Sequence, residues 1–243
     1  MIVIPARLNS TRLPRKVLLP VGGVPMVVAT ARRGLEVDRV VVATDSPEVI
    51  EVCQQYKIDA ILTSPDHKSG TDRVNEAVEL LGLGEEELIV NLQGDEPLIE
   101  PEVIERVLER LKNLKRSFKM VSCYKSIGFR EVQDPHLVKV VVDRFGDALY
   151  FSRSPIPYHR EGEGGQFFAH LGIYGFDRKS LRRFVQMEGW LEHLEKLEQL
   201  RVLENGEKIA MVEVESRGIG VDTWEDLELV RQLMEQKGQN GNK

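Results

Sequence analysis

The feature that most constrains the fold is an alternation of short β-branched runs with helical patterns in the first half of the chain. Strand-like runs lie at residues 2–4, 39–45 and 88–92. Pro47 and Pro101 stand where the helices after the second and third runs should begin, and proline is favoured in a first helical turn. Strands joined through helices pair in parallel and are covered on their faces. The sequence therefore predicts an α/β protein with a mostly parallel sheet.

The pattern changes from about Met120 onwards. Residues 137–143 and 148–152 are strand-like and are joined across residues 144–147, which indicates an antiparallel hairpin. We find no repeat or linker, so we predict one domain over residues 1–243. The other predicted features are a mobile loop at residues 161–165, a strand at 170–176, two helices, a strand at 208–214, a final helix from Thr223 with a capping box to Asp226, and a frayed tail after Gln236.

Composition and charge narrow the class of protein. The 243 residues are 42% hydrophobic and 30% charged, which suits one sizeable core. The net charge of -6, with basic and acidic residues mixed along the chain, argues against a nucleic-acid binder. Cys53 and Cys123 lack C-x-x-C spacing and are predicted to be reduced, buried thiols. We find no signal peptide and no apolar run near the roughly 20 residues that span a bilayer, so we predict a cytoplasmic protein without membrane segments.

A basic loop follows the first strand. Pro5 is predicted to end that strand, because proline cannot continue a central ladder. The cations Arg7, Arg12, Arg15 and Lys16 follow directly. Guanidinium groups match the paired oxygens of a phosphate, and open α/β sheets bind ligands at the carboxyl ends of their strands. We therefore predict a triphosphate site; a solvated basic loop is the alternative.

Neither common nucleotide fingerprint, the P-loop or the dinucleotide-binding glycine motif, is present. Phosphate must therefore be held in another way. The segment Lys68-Ser-Gly-Thr-Asp-Arg73 should open a helix, and the first turn of a helix offers free backbone N–H groups to an anion. An ordinary N-cap at Ser69 is the simpler interpretation of this segment taken alone.

Two aspartates are candidate metal ligands. Asp95 follows a buried strand and Gly94, which allows close backbone approach, and Asp222 follows an apolar run and precedes a helix. Carboxylates at strand ends, opposite a basic loop, suit a Mg²⁺ ion that assists phosphoryl or nucleotidyl transfer. The alternatives are an acidic turn at Asp95 and helix capping by Asp222.

Four later residues, Arg153, His170, Glu198 and Arg201, are polar residues in or beside apolar segments. Glu198 and Arg201 fall inside the apolar arc of a predicted helix at residues 191–203, so we expect both to be partly buried, with an i,i+3 ion pair as the simpler interpretation. Arg153 follows an apolar strand and precedes Ser-Pro-Ile-Pro, a stiff backbone. His170 precedes an apolar run, and a satisfied strand-end histidine is the simpler interpretation there.

Seven motifs occur in order over nearly the whole chain. They are Ile4-Pro-Ala-Arg7 with Ser-Thr-Arg-Leu-Pro-Arg-Lys16, Ser-Gly-Thr-Asp-Arg73, Val-Asn-Leu-Gln-Gly-Asp-Glu-Pro97, Tyr-Phe-Ser-Arg-Ser-Pro-Ile-Pro157, His-Leu-Gly-Ile-Tyr174, Leu-Glu-Gln-Leu-Arg201 and Gly-Val-Asp-Thr223. Together they resemble the 3-deoxy-D-manno-octulosonate (Kdo) cytidylyltransferase family. The resemblance implies the nucleotide-diphospho-sugar transferase fold, a mostly parallel three-layer sheet with a small antiparallel dimerisation lobe at about residues 130–190. It also implies a homodimer that makes CMP-Kdo and pyrophosphate from CTP and Kdo with Mg²⁺, for lipopolysaccharide biosynthesis.

The resemblance also implies roles for individual residues. Lys16, Arg12, Asp95 and Asp222 are expected to be catalytic, with Asp95 and Asp222 on the metal. The expected chemistry is attack of the Kdo anomeric hydroxyl on the α-phosphorus of CTP, without a covalent enzyme intermediate and without an assigned general base. Nucleotide binding is expected from Pro5, Ala6, Arg7, Ser10, Arg12, Lys16, Ser69, Gly70 and Gly94, and sugar binding from Arg73, Gln93, Arg153, His170, Tyr174, Glu198 and Gln199.

Two departures from the family pattern leave the choice of sugar open. Val17 replaces the usual proline after the loop lysine, and Glu188-Gly-Trp190 replaces a Ser-Pro entry to the later helix. The alternatives are a cytidylyltransferase for another acidic sugar, such as 8-amino-Kdo or a sialic acid, a glycosyltransferase, and a non-catalytic nucleotide-binding module.

Overall fold

The computed structural model describes residues 1–10, 12–160, 162 and 164–240, with side chains as far as Gln236. Within these ranges the strands are β1 Ile2–Ala6, β2 Pro20–Val21, β3 Val24–Pro25, β4 Val40–Thr44, β5 Asp59–Leu62, β6 Leu88–Leu92, β7 Met120–Ile127, β8 Lys139–Val142, β9 Ala148–Ser152, β10 Phe167–Asp177 and β11 Ala210–Glu213. The α-helices are α1 Met26–Leu35, α2 Pro47–Gln55, α3 Gly70–Leu80, α4 Pro101–Asn113, α5 Arg178–Gln186, α6 Leu191–Glu195, α7 Leu200–Glu204 and α8 Trp224–Asn240.

The chain forms two compact units. The first comprises Met1–Leu83, Ile89–Ile104 and the chain from Ser216 onwards, and the second comprises Gly84–Leu88 and Glu105–Glu215. The division expected from sequence, one domain with an inserted lobe at about residues 130–190, stays a prediction.

The first unit is built on a parallel sheet. Its strands are ordered β6, β1, β4, β5, and each neighbouring pair runs in parallel. All residues of β4 and most of β1 and β6 are buried, as expected for strands covered by helices. The predicted α/β class with a mostly parallel sheet is confirmed, and the carboxyl ends of these strands share one edge.

The prediction that β1 ends at Pro5 is wrong. Pro5 and Ala6 continue the ladder opposite Ala43 and Thr44 of β4. Alternate residues of a parallel strand bond to opposite neighbours, and the N–H of Ile2 donates towards β4, to Arg39. Pro5 therefore faces β6, whose pairing with β1 ends at Val3. The absence of an N–H group on Pro5 therefore removes no hydrogen bond from the sheet.

An apolar cluster fixes the base of the basic loop in the first unit. Leu13, which lies between Arg12 and Lys16, is fully buried and packs in one cluster with Val221 and with Leu227 and Val230 of α8. The predicted capping box starts that helix, because Thr223 N donates to Asp226 Oδ2 at 2.9 Å and Asp226 N donates to Thr223 Oγ1 at 3.1 Å. The chain on either side of Leu13 is thereby tied to the segment that carries Asp222.

The second unit contains the antiparallel strands. β7 pairs with β10 antiparallel and with β11 in parallel, while β8 pairs antiparallel with both β10 and β9. The predicted hairpin is confirmed as β8 and β9, with Lys139 opposite Ser152. The predicted strand at residues 170–176 lies within the longer β10.

The prediction of one helix at residues 191–203 is wrong. α6 ends at Glu195, its C-cap Lys196 has a left-handed φ of 56°, and α7 begins only at Leu200. The break lets Arg201, which is 7% exposed, donate to both carboxylate oxygens of Glu192 at 2.7 Å. In a continuous helix nine residues would separate these groups by about 13 Å along the axis. The expected burial of Arg201 is confirmed.

Several smaller predictions have clear outcomes. Cys53 and Cys123 are buried and neither forms a disulfide, as predicted, and burial raises the pKa of Cys53 to about 11. No helix in the described part of the chain has the length and apolar character needed to cross a membrane. α8 continues past Gln236 to Asn240, where a frayed tail was expected. Thr11 of the basic loop, Glu161 and Glu163 of the predicted mobile loop, and residues 241–243 lie outside the described residues.

Candidate active site

A pocket in the first unit gathers most of the residues expected to bind the nucleotide. The cavity measures about 280 Å³ and lies at the carboxyl edge of the parallel sheet. Ala6 is 1% exposed and is buried within β1. The lining residues that were expected from sequence are Pro5, Arg7, Ser10, Arg12, Lys16, Ser69, Gly70, Arg73, Gln93, Gly94, Asp95 and Asp222, and those that were not are Val17, His67 and Lys68.

Lys16 binds both candidate metal ligands. Its Nζ donates to Asp95 Oδ2 at 2.5 Å and to Asp222 Oδ1 at 3.0 Å, and Arg12 Nη1 donates to Asp222 Oδ2 at 3.3 Å. Burial lowers the pKa of Lys16, but the two carboxylates outweigh it, so the pKa is raised above its ordinary value. Two carboxylates and two cations, predicted separately from sequence, thus form one cluster.

Backbone contacts bring Asp95 and Asp222 together. Val221 N donates to Asp95 O at 3.0 Å, which places the segment carrying Asp222 beside the turn after β6. Gly94 packs against β1 so closely that a Cβ there would lie 3.1 Å from Pro5 O. Because that neighbour is backbone, a larger residue would push the turn and Asp95 away.

The start of α3 forms another wall of the pocket. Ser69 is its N-cap and shares a capping box with Asp72, at 3.1 and 3.2 Å, so the simpler interpretation of this segment is confirmed. Gly70 also packs tightly, because a Cβ there would lie 3.3 Å from both Gln93 Oε1 and Pro5 Cγ. The capped end of α3 therefore lies directly against the carboxyl ends of β1 and β6.

Arg73 is buried and engaged within the first unit. It donates to Thr63 Oγ1 at 2.6 Å, to Ser64 O at 3.1 Å and to Asp45 Oδ2 at 3.0 Å. Asp45 also accepts from Leu8 N at 3.3 Å, so it links the basic loop to α3. These contacts favour a role for Arg73 in holding the pocket wall over direct contact with a sugar acid. Asp45 was not identified from sequence, although it directly follows a strand as Asp95 nearly does.

His67 is a wall residue that was not identified from sequence, and Lys68 was named there only as the first residue of the segment that opens α3. His67 Nε2 lies 2.5 Å from Glu76 Oε2, which also accepts from Ser64 N at 2.8 Å. Burial raises the pKa of Glu76, but these hydrogen bonds outweigh it and lower the pKa overall. The position of His67 and Lys68 directly before the Ser-Gly-Thr segment could have indicated that they line the pocket.

Three residues expected to bind the sugar form a hydrogen-bonded group in the second unit. Tyr174 Oη donates to Gln199 Oε1 at 3.1 Å, and Gln199 Nε2 lies 3.5 Å from His170 Nδ1. His170 Nε2 lies 2.8 Å from Ser122 Oγ. Burial, and then the charge of Glu198, raises the pKa of Tyr174, so its phenol is neutral at pH 7. Burial lowers the pKa of His170 to about 3, so its ring is neutral as well.

The neutral His170 predicts a pH dependence of stability. Its pKa is about 3 in the folded protein and about 6.5 when unfolded, so below pH 6.5 the unfolded chain binds a proton that the fold excludes. The free energy of unfolding should therefore fall as the pH drops from 6.5, by up to about 1.4 kcal/mol per pH unit from this group. Urea unfolding between pH 7 and 5 should show a shallower slope for His170→Asn. Equal slopes for the two proteins would contradict the assignment.

Arg153 lies in the second unit with an oriented side chain. Its Nε donates to Glu195 O at 2.8 Å and its Nη1 to Pro135 O at 3.1 Å. Both acceptors are backbone carbonyls, so the guanidinium is held without neutralisation. That arrangement leaves its charge available to an anionic ligand.

Comparison with known proteins assigns the family. The sequence model of the cytidylyltransferase family matches residues 1–209. The 3-deoxy-manno-octulosonate cytidylyltransferase of a Nitratiruptor species is 54% identical over 233 residues, covering 95% of this chain and 98% of the relative. That of Wolinella succinogenes is 50% identical over 234 residues, covering 93% and 96%. The chain belongs to the 3-deoxy-manno-octulosonate cytidylyltransferase family.

Solved structures agree with this family. CMP:2-keto-3-deoxy-manno-octonic acid synthetase complexed with CTP matches with a TM-score of 0.90 and 43% identity, covering 97% of this chain and 98% of that one. A putative glucose-1-phosphate thymidylyltransferase from Bacillus anthracis shares only the fold, with 17% identity and a TM-score of 0.64 over 96% of this chain and 94% of that one.

The donor set of the pocket fits the divalent metal that cytidylyltransferases of this kind generally use. One ammonium, that of Lys16, contacts both Asp95 and Asp222, so a single cation can reach both carboxylates. In the described part of the chain, no group of three or more His, Cys, Asp or Glu side chains is placed to hold a metal. Mg²⁺ is commonly bound through one or two carboxylates plus substrate phosphates. The site therefore fits an ion that arrives with a nucleotide.

Proposed function

We propose that this chain transfers the cytidylyl group of CTP to Kdo and releases pyrophosphate, as a step in lipopolysaccharide biosynthesis. The observation that carries the proposal is the contact of Lys16 with both Asp95 and Asp222 inside the first unit's pocket. That cluster offers cations for a triphosphate and hard oxygen ligands for a metal at one place. Membership of the Kdo cytidylyltransferase family indicates that the base of the nucleotide is cytosine and that the acceptor sugar is Kdo.

We assign the triphosphate to the basic loop. Arg12 is 60% exposed and can turn its planar fork towards phosphate oxygens, while Lys16, at 12%, acts as a fixed point charge. Arg7 lines the same pocket. Negative charge grows on the departing pyrophosphate, so the cations stabilise the transition state more than the ground state.

We assign Mg²⁺ to Asp95 and Asp222. When bound, such an ion would offset the negative charge of the phosphates and help to orient them. The protein's own part is to hold the two carboxylates together through the Val221 to Asp95 hydrogen bond and the tight packing of Gly94.

We assign the sugar acid to polar residues of the second unit. Gln93, which was also expected from sequence to bind the sugar, lines the first unit's pocket. The Arg153 fork suits the Kdo carboxylate, and the neutral His170, Tyr174 and Gln199 suit hydroxyl groups. Glu198 belongs to the same proposed set. The anomeric oxygen forms a bond to the α-phosphorus while the bond from that phosphorus to the oxygen bridging the α- and β-phosphates breaks. Pyrophosphate leaves with the electron pair, and the proton of the hydroxyl passes to solvent. No general base is assigned.

Arg153→Ala is expected to raise the KM for Kdo by about tenfold or more and to leave the KM for CTP nearly unchanged, because a charge-assisted bond to a carboxylate contributes roughly 1.5 to 3 kcal/mol. Arg153→Lys should recover only part of the loss, since lysine lacks the planar fork. Steady-state kinetics with each substrate varied separately would measure this.

Arg182→Ala is the matched control for Arg153, because Arg182 only pairs with Glu85 on the surface of the second unit. Equal losses for CTP and Kdo in Arg153→Ala would indicate a folding defect. An unchanged KM for Kdo would remove Arg153 from the sugar site.

The experiment that tests the proposed function is pyrophosphate release with each of the four common nucleoside triphosphates, with and without Kdo. Release should require both CTP and Kdo. Product analysis with 8-amino-Kdo and a sialic acid distinguishes the other acidic sugars. A glycosyltransferase would release no pyrophosphate from CTP, and a non-catalytic binding module would bind CTP without turnover.

We further propose a cytoplasmic homodimer. Its support is the second unit's hairpin, where the apolar Phe145 and Leu149 are 73% and 58% exposed. β9 has only β8 as a neighbour among the described strands. An exposed apolar strand edge is a surface that proteins commonly cover with another chain.

A further inference from the structure

Lys139 is a wholly buried lysine in the second unit. It begins β8, is 0% exposed, and donates through Nζ to Asp134 O at 2.7 Å and Leu137 O at 2.6 Å. No carboxylate of the described residues lies within ion-pair distance of it. Burial lowers the pKa of Lys139 and Arg153 adds to this effect, while the charges of Asp134 and Glu195 oppose it without reversing it. Burying an ammonium group with only carbonyl partners is costly, so an apolar residue would serve packing better.

The turn that Lys139 holds also contacts Arg153. Lys139 holds the turn at residues 134–137 at two carbonyls, and the carbonyl between them, that of Pro135, accepts from Arg153 Nη1 at 3.1 Å. Lys139 also lies opposite Ser152 in the hairpin, one residue before Arg153. A shift of this turn would therefore change the orientation of the guanidinium.

A second support holds Arg153 from the other side. The Glu195 carboxylate accepts from Ser152 Oγ at 2.6 Å and from Arg153 N at 2.9 Å, while Glu195 O accepts from Arg153 Nε. The carboxylate thus contacts the backbone of Arg153, and only carbonyls contact its guanidinium. Lys139 and Arg153 are consequently held by carbonyl acceptors, close enough for their charges to repel, with the carboxylates of Asp134 and Glu195 also within electrostatic range of Lys139.

We propose that Lys139 is a positioning residue for the acid sugar: it fixes the turn at residues 134–137, orients Arg153 through Pro135 O, and adds a second positive charge beside it. The inference rests on the proposed function, in which Arg153 binds the sugar carboxylate. Lys139 acts on that carboxylate through the turn and through its charge, and it has no part in binding CTP.

The test compares Lys139→Met, Lys139→Gln and Lys139→Arg with wild type, using Kdo and CTP in the pyrophosphate assay. Met and Gln should each raise the KM for Kdo by about fivefold or more and leave the KM for CTP within about twofold, while Arg, which keeps the charge, should be closer to wild type. In the Arg153→Ala background, Lys139→Met should add little, because both changes remove one effect. Lys208→Met is the control, since Lys208 is 60% exposed and pairs with Asp147.

Each outcome decides between the hypotheses. If wild type releases no pyrophosphate with CTP and Kdo, the proposed function itself fails. If wild type is active and the Met and Gln variants keep a normal KM for Kdo, the role of Lys139 is wrong. Additive effects with Arg153→Ala, equal losses for CTP and Kdo, or failure of all three Lys139 variants to fold would assign Lys139 to stability alone and overturn the proposal.

Discussion

Asp95→Asn and Asp222→Asn are each expected to lower turnover by about a hundredfold or more, the scale of losing a main electrostatic stabiliser. Asn keeps the size of the side chain, and the Val221 to Asp95 bond uses backbone atoms, so the fold should survive. The loss has two sources. One proposed metal ligand loses its charge, and Lys16 loses one of its two carboxylate partners. Both variants should also need more Mg²⁺ for half-maximal activity.

Asp59→Asn is the matched control for this comparison. Asp59 is a 70% exposed carboxylate of the same unit, and its contact with Arg39 is long, at 3.9 Å. Turnover should be measured at saturating CTP and Kdo over a Mg²⁺ titration, with circular dichroism to verify folding. Near-normal turnover in both folded Asp95 and Asp222 variants would show that the metal assignment is wrong.

Local patterns explain why much of the fold could be predicted. β6 and the start of α4 at Pro101 lie where the sequence placed them, because a short apolar run and a first-turn proline depend on neighbouring residues only. Pro5 was misjudged because the ladder tolerates proline on the side where β6 has stopped pairing. The break at Lys196 was missed because the leucine spacing fits a continuous helix, whereas the bidentate contact of Arg201 with Glu192 requires the helix to be interrupted.

The candidate site was also only partly predictable, because local patterns do not reveal contacts between residues far apart in the chain. Strand-end positions identified Asp95 and Asp222 separately, since chemistry collects at the carboxyl edge of a parallel sheet. Their shared contact with Lys16 could not be predicted, because Lys16 and Asp222 are 206 residues apart in the chain. Asp45 and Lys139 were missed for a related reason. Their roles depend on which backbone and side-chain groups the fold places next to them. Residue spacing in the sequence does not predict those contacts.

Substitution of Lys16 tests whether the basic loop contacts the triphosphate or the base of the nucleotide. Lys16→Ala is expected to lower turnover with CTP by about a hundredfold, because a partly buried cation in the pocket stabilises the leaving pyrophosphate. The ratio of kcat/KM for CTP to that for UTP should stay within about threefold of wild type, since the phosphates of the two nucleotides are the same. Lys16→Arg should recover part of the turnover by restoring the charge.

Arg15→Ala is the control in the same loop, because Arg15 is 55% exposed and pairs with Glu48, while Lys16 is 12% exposed and pairs with both site aspartates. It should leave turnover nearly unchanged, which would separate the effect of one placed charge from that of the loop's overall charge. Kinetics with CTP and UTP for all three variants measure this. If Lys16→Ala mainly relaxed the choice of base, Lys16 would be contacting the cytosine, and the assignment of the basic loop to the triphosphate would be wrong.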